Sequence, residues 1–172
     1  MESIKILFLA AVACFWATAC TTSAPADASS DNTNVLTPEK NNSSSADIKS
    51  IFEAVQESGE YTTRDSVAAY LCKFDKLPTN YVTQNEGKSL YESRKGKTFD
   101  KWNFNPWTTI GVMIGGDKFG NSEGILPKGT YHEADVDYSA KNRGTKRLVY
   151  QSDCVIYYTA DHYESFDKLE IK

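Results

Sequence analysis

Three acids alternate along the segment YHEADVDY: Glu133, Asp135 and Asp137. In an extended chain, side chains two apart share a face, so a strand would present all three together. Arg143 and Arg147 follow a short turn later, and His162, one of only two histidines in the chain, stands in TADHYESF at the end of a late strand pattern. Were these strands neighbours in an antiparallel meander, a carboxylate, two guanidiniums and an imidazole would meet on one side of a sheet. That set suits cleavage of a phosphodiester by its own 2′-hydroxyl. The carboxylate takes the hydroxyl proton and the imidazolium returns one to the departing 5′-oxygen. Arginine forks bind the non-bridging oxygens as negative charge builds there. By spacing alone the same residues also read as solvated acids, surface ion pairs and a polar strand end.

The elements that would position them fall in two blocks. IFEAVQES places Ile51, Phe52 and Val55 on one helical face. TTRDSVAAYLCKF reads as an amphipathic helix capped at Thr62 or Thr63 and ended by Pro78, with Val67, Tyr70, Leu71 and Phe74 inward. TQNEGKSL opens another helix, because Thr83 and Glu86 have the spacing of a capping box. After about residue 108 the texture changes to β-branched and aromatic runs punctuated by glycine, among them TYHEADVDY, KRLVYQS and CVIYYTADHY. Helices first and strands afterwards predict an α+β fold, N-terminal helices packed on a twisted antiparallel sheet of about five strands.

The first twenty residues, MESIKILFLAAVACFWATAC, join a short basic start to an apolar run too short to span a bilayer. Residues 1–19 are therefore expected to be a signal peptide and the protein to be exported. Ala17-Thr18-Ala19 offers an ordinary cleavage site, while Cys20 behind it resembles a bacterial lipobox and would be lipidated as a membrane tether. Residues 20–47 are rich in Ser, Thr, Asn, Asp, Ala and Pro, cannot bury enough apolar surface to order themselves, and read as a disordered tether. The folded domain is expected over 48–172. Its charge is balanced: residues 1–59 hold three basic and seven acidic side chains, residues 60–172 sixteen of each. The net charge of −4 thus belongs to the tail and does not exclude phosphate binding, which local potential decides. Cys72 and Cys154 are the two cysteines of the domain, a disulfide candidate after export and otherwise two small buried hydrophobes.

From about Val67 to Ile171 the chain resembles the barnase-type secreted bacterial ribonucleases, relatives of the guanine-specific fungal enzymes. The likeness runs through VAAYL, KLPTNYVT, IGGDKFGNSEGILP, YHEADVDY, NRGTKRLVYQSD and IYYTADHYESF in order. It implies Glu133 as general base, His162 as general acid, Arg147 and Arg143 on the scissile phosphate and Tyr163 lining the cleft. In the loop FGNSEG it implies guanine recognition, with Glu123 accepting from the base edge and Phe119, Gly120, Asn121 and Ser122 supplying shape and backbone donors. It also brings Cys72 and Cys154 close together, implies a monomer acting on single-stranded RNA with no metal or cofactor, and implies a small acidic barstar-like protein inhibitor. His132 has no counterpart role and reads as an exposed polar residue beside the base.

The departures are specific. Gln84 stands where the family usually has a lysine aimed at the phosphate, and Ser122 where an arginine is common; a neutral amide can hydrogen-bond an oxygen there without adding charge. The segment before IGGD is longer than in close relatives and the one before YHEAD shorter. The inserted RKGKTFDKWNFNPW mixes Arg94, Lys95, Lys97 and Lys101 with Trp102, Phe104 and Trp107. Basic and aromatic side chains could hold single-stranded RNA by charge and stacking, or pack as the loop's own small core. Three functions follow for the chain. The leading one is an exported endoribonuclease cutting 3′ to guanine through a 2′,3′-cyclic phosphate. A silent RNA- or nucleotide-binding module of the same fold is the second. A metal-dependent nuclease built on Asp117, Asp135, Asp137 or Asp153 is the third, against which stands the lack of compact ligand spacing.

Overall fold

The computed structural model describes residues 45–171; the expected leader, Cys20 and most of the expected tether lie outside the described residues. Helix α1 spans Ser45–Ala54, α2 Arg64–Phe74, α3 Gln84–Lys95 and the short α4 Pro106–Ile110. Strands β1 (Tyr81–Val82), β2 (Met113–Phe119), β3 (Tyr131–Asp135), β4 (Arg147–Gln151), β5 (Val155–Thr159) and β6 (Asp167–Lys168) form one sheet in chain order. The α+β expectation holds, with six strands in place of about five. The extra strand is the two-residue β1, which pairs parallel to β2 while every other pair is antiparallel.

Local chemistry explains the helix ends. Thr83 and Glu86 close the capping box of α3, each side chain satisfying the other's backbone N–H. Helix α2 begins after Thr63, whose hydroxyl caps nothing; the Arg64 N–H instead donates to Asp137 Oδ1 at 3.1 Å. This is why Asp137 does not extend the acidic face of β3. It turns off the strand with φ of 48° and serves the helix start. Helix α2 stops at Phe74, before Pro78, because Asp75 takes a left-handed conformation.

The sheet has two working faces. On one, Ala134, Val136, Leu148 and Ile156 pack under Val67, Ala68 and Leu71 of α2, with Val55 beyond α1. On the other, Tyr131 and Val149 join Leu126, Phe119, Tyr157, Tyr163 and Phe166. A separate core of Ile110, Val112 and Ile114 with Leu90, Tyr91 and Trp102 lies under α3. Near the junction of β2 and β3 a bulge shifts the register between Gly115 and Lys118. Gly116 there has φ of 94°, and a Cβ on Gly115 would meet Tyr81 and Ala134 at 3.0 Å or less. Side chains are excluded from both positions for different reasons, one conformational and one steric.

Cys72 of α2 and Cys154, at the start of the β5 side of its hairpin, are joined in a disulfide across 82 positions. The bridge ties the helix layer to the sheet. Closing a loop of that length restricts the unfolded chain and stabilises the fold by about 4.5 kcal/mol on the loop-entropy account. Urea unfolding with and without reductant is therefore expected to differ by roughly 4 kcal/mol, and the Cys72→Ala/Cys154→Ala variant should match the reduced protein.

Candidate active site

The floor of the site is set by strand register. Within the β3–β4 pair, Glu133 lies opposite Val149 and Asp135 opposite Arg147, so Tyr131, Glu133 and Asp135 point to the face away from α2. Asp135 is 1 % exposed. Its two oxygens collect Arg143 through Nε and Nη2, the latter at 2.8 Å, together with the Tyr138 hydroxyl at 2.6 Å. Arg147 Nε forms an ion pair with Asp135 Oδ1 at 2.6 Å and has no hydrogen-bond partner among the described residues. Burial by itself would lower the Arg143 pKa, and the hydrogen bonds and charge of Asp135 hold it above its ordinary value.

The two arginines are held differently. Arg143 shows one edge to Asp135 and leaves Nη1 without a partner among the described residues. Its side chain is 12 % exposed. Arg147 turns its Nη1 to the Lys146 carbonyl at 2.8 Å and its Nη2 to the Gly144 carbonyl at 3.2 Å, and its side chain is 2 % exposed. Sequence reading treats the pair as equal grips on a phosphate; the fold leaves Arg143 a donor without a partner among the described residues and buries Arg147 more deeply.

Glu133 is bracketed by two donors. The Tyr163 hydroxyl donates to Oε2, and the Gln84 side-chain amide donates to Oε1 at 3.3 Å. Burial first, then the hydrogen bond to Glu133 and its charge, raise the Tyr163 pKa well above the usual phenol value, so Tyr163 stays a neutral donor near pH 7. Gln84 thus serves the carboxylate, and its own backbone N–H donates to Asp117 Oδ2 at 2.7 Å, which fixes the start of α3 beside the site.

His162 is not at a strand end. Strand β5 finishes at Thr159, and the imidazole sits in the bend that follows, exposed, with φ of 62°. Tyr163 beside it has φ of 80°, and the two rings lie 4.7 Å apart. His162 is thereby placed next to the phenol that touches Glu133. Asp161 holds this strained bend. Its Oδ1 accepts from the Thr159 hydroxyl at 2.8 Å and from the Glu164 and Ser165 N–H groups at 3.1 and 3.0 Å, while Oδ2 accepts from the Ser165 hydroxyl. Thr159 Oγ1 in turn accepts from the Tyr163 N–H at 2.9 Å. Asp161 and Thr159 are not among the residues expected at the site; an Asp three and four residues before exposed N–H groups is the signal that could have marked Asp161.

The FGNSEG loop is built as a staple with free ends. Asn121 donates to the Leu126 carbonyl at 2.9 Å and accepts from its N–H at 3.1 Å, so its side chain closes the loop. Phe119 joins the floor, its ring 5.1 Å from that of Tyr163. Gly120, Ser122 and Glu123 are exposed, and Glu123 has no hydrogen-bond partner among the described residues. His132, expected to be exposed beside Glu133, is half-buried on the opposite sheet face and donates from Nδ1 to the Gly116 carbonyl at 3.0 Å. Of the acids considered for a metal, Asp135 is taken by arginines, Asp137 by α2 and Asp117 by α3; the described residues contain no group of three or more His, Cys, Asp or Glu placed to hold an ion.

Two outcomes follow from these contacts. Replacing Asp135 by Ala would strand two buried guanidiniums, and urea unfolding should show a loss of about 3–5 kcal/mol. The hydrogen bonds from Ser165 and then Thr159 lower Asp161 from 3.8 to about 2. A depressed folded-state value means that this carboxylate stabilises the bend fully above the unfolded-state value, and that the contribution disappears as pH falls toward 2. The Ser165 amide resonance should accordingly hold its position from pH 7 to pH 4 and move only below that range.

A family described as ribonuclease matches residues 64–170. The chain is 40 % identical over 111 residues to a ribonuclease of Bacillus intermedius, covering 62 % of this chain and 64 % of that protein. It is equally identical over 111 residues to a ribonuclease of Heyndrickxia coagulans, there covering 95 % of the relative. Guanyl-specific ribonuclease St of Saccharopolyspora erythraea is 47 % identical over 55 residues, 30 % of this chain and 54 % of the relative. The shared stretch contains α2, α3, the whole sheet and every residue of the site just described. The chain belongs to the barnase-type microbial ribonuclease family.

Proposed function

We propose that this protein is an exported endoribonuclease that cuts single-stranded RNA on the 3′ side of guanine, through a 2′,3′-cyclic phosphate and without a metal. The observation that carries the reading is the bracketed Glu133, held by Tyr163 and Gln84 on an open face beside the free edge of Arg143.

Glu133 takes the 2′-hydroxyl proton. The new 2′-oxygen bond to phosphorus forms as the 5′-oxygen leaves, and His162, whose ring lies against Tyr163, gives that oxygen its proton. Arg143 donates through Nη1 to a non-bridging oxygen, while buried Arg147 adds its charge. Gln84 keeps Glu133 oriented and contributes no positive charge. Exposed Glu123 accepts from the base, Phe119 supplies an apolar wall continuous with Tyr163, Asn121 holds the loop, and Gly120 and Ser122 lend backbone donors. The protein acts as a monomer, with a small acidic protein covering the same face as its inhibitor. Export, with lipidation at Cys20 as the tether, completes the proposal and rests on residues 1–20 alone.

A synthetic RNA with a single G, incubated with chelator, is expected to be cut once, 3′ to that base, leaving a cyclic phosphate. An uncut RNA, or cutting unchanged by Glu133→Ala, overturns the assignment, and binding without turnover would identify a silent module instead. His162→Ala should lower turnover by about 10²–10⁴-fold with an unchanged urea midpoint, because the imidazole is exposed and supports no core.

A further inference from the structure

The segment 94–107 mixes basic and aromatic residues, and its aromatic side chains pack together. Tyr91 and Phe104 stack with ring centroids 4.9 Å apart, Phe99 lies 4.6 Å from Trp102, and Trp102 lies 5.5 Å from Phe104. The lobe is closed by the Phe99 N–H donating to Glu92 Oε1 at 2.9 Å and by Arg94 donating to the Ile110 carbonyl. Its small core thus continues the core under α3, where a Cβ on Gly87 would meet Ile114 at 2.6 Å and Trp102 at 3.0 Å.

This lobe grips the β3–β4 loop at two points. Buried Asn105 donates from Nδ2 to the Ser139 carbonyl at 2.7 Å. Four residues further along that loop, the Arg143 guanidinium carbon sits 5.5 Å from the centre of the Trp102 ring. A guanidinium at that distance from an aromatic ring is attracted by its quadrupole, and most strongly by an indole. The indole N–H gains nothing in return, for Nε1 is buried with no hydrogen-bond partner among the described residues. A phenylalanine would fill much of the same space without that penalty. The indole packs on Phe99, Phe104 and the core under α3, and also presents its broad π surface to Arg143.

We propose that Trp102 is a positioning residue for Arg143. Asp135 fixes one edge of the guanidinium, Trp102 restrains it from a second side, and Nη1 is left aimed at the open side as the phosphate donor. The aromatic lobe is the support that carries Trp102 to this place. The inference rests on the reading of Arg143 as a phosphate ligand, and it names a residue outside the family motifs as part of that subsite.

The test uses inorganic phosphate as the probe, so it does not depend on turnover. Phosphate affinity is measured by titration for the full chain, Trp102→Leu and Trp102→Phe, each also in an Arg143→Ala background, with urea midpoints alongside. Leu keeps the apolar fill and removes the π face; Phe keeps a weaker face. Trp102→Leu is expected to weaken phosphate binding roughly tenfold, Trp102→Phe about two- to threefold, and neither to add to the loss caused by Arg143→Ala. The Arg143 Nε–H should exchange faster in Trp102→Leu than in Trp102→Phe. If Trp102→Leu does not fold, the Phe variant and its Arg143→Ala double carry the comparison. Wild-type phosphate affinity in the Leu variant, or an equal loss in both backgrounds, overturns the proposal. Coupled loss of phosphate binding in a protein that cuts no RNA would retain the positioning role and remove the proposed reaction.

Discussion

A single buried carboxylate organises this molecule's open face. Asp135 is almost wholly removed from solvent, yet it meets two guanidiniums and a phenol. Removing a carboxylate from water costs several kcal/mol, and only close opposite charge and full hydrogen bonding offset that cost. The arrangement is therefore restrictive: with either arginine displaced, the remaining charges would be poorly matched in a low-dielectric site. Because Asp135 lies directly opposite Arg147 and two positions from Glu133 on the same strand, satisfying it also fixes where Glu133 can be. Electrostatic necessity in the floor becomes geometry at the surface.

The sheet then separates two tasks. One face is apolar and covered by α2, with the Cys72–Cys154 bridge fastening helix layer to strands. The other combines a small aromatic floor with ionised groups and stays partly open. Strand alternation makes this possible within five residues of β3, where Ala134 is core and its neighbours Glu133 and Asp135 are not. The same alternation sends His132 to the helix side, where it bonds a backbone carbonyl at the bulge.

Much of the backbone strain around the open face sits in short loops. His162 and Tyr163 hold left-handed conformations that cost side-chain-bearing residues roughly 1 kcal/mol or more each. Asp161 and Thr159 offset that cost with a ring of short hydrogen bonds. At the far side, the aromatic lobe performs a comparable service with packing in place of hydrogen bonds, resting on the core under α3 and reaching Arg143 through Trp102. Rigid elements set the floor, and polar or aromatic clamps hold the groups that rise from it.

Periodicity and capping chemistry are local properties, and they were legible. The α+β order, the capping box at Thr83 and Glu86, and the shared face of Glu133 and Asp135 all follow from neighbours in the chain. The pairing of Cys72 with Cys154, which the motifs implied, is present in the fold. Aromatic residues at this density in a loop favour packing as its own small core over RNA stacking, and the rings of the 94–107 segment do pack against one another. Asp137 was misplaced because strand alternation was carried two residues past the end of β3, where the need to satisfy the Arg64 N–H takes over. The unequal burial of Arg143 and Arg147, the bend that carries His162 and the contact of Trp102 with Arg143 were not legible in the sequence. Residue type and spacing determined which groups this protein has and which strand face carries them. Only the packed structure decided which donor stays free and which is buried, because burial and ion pairing are set by whatever the rest of the chain brings alongside.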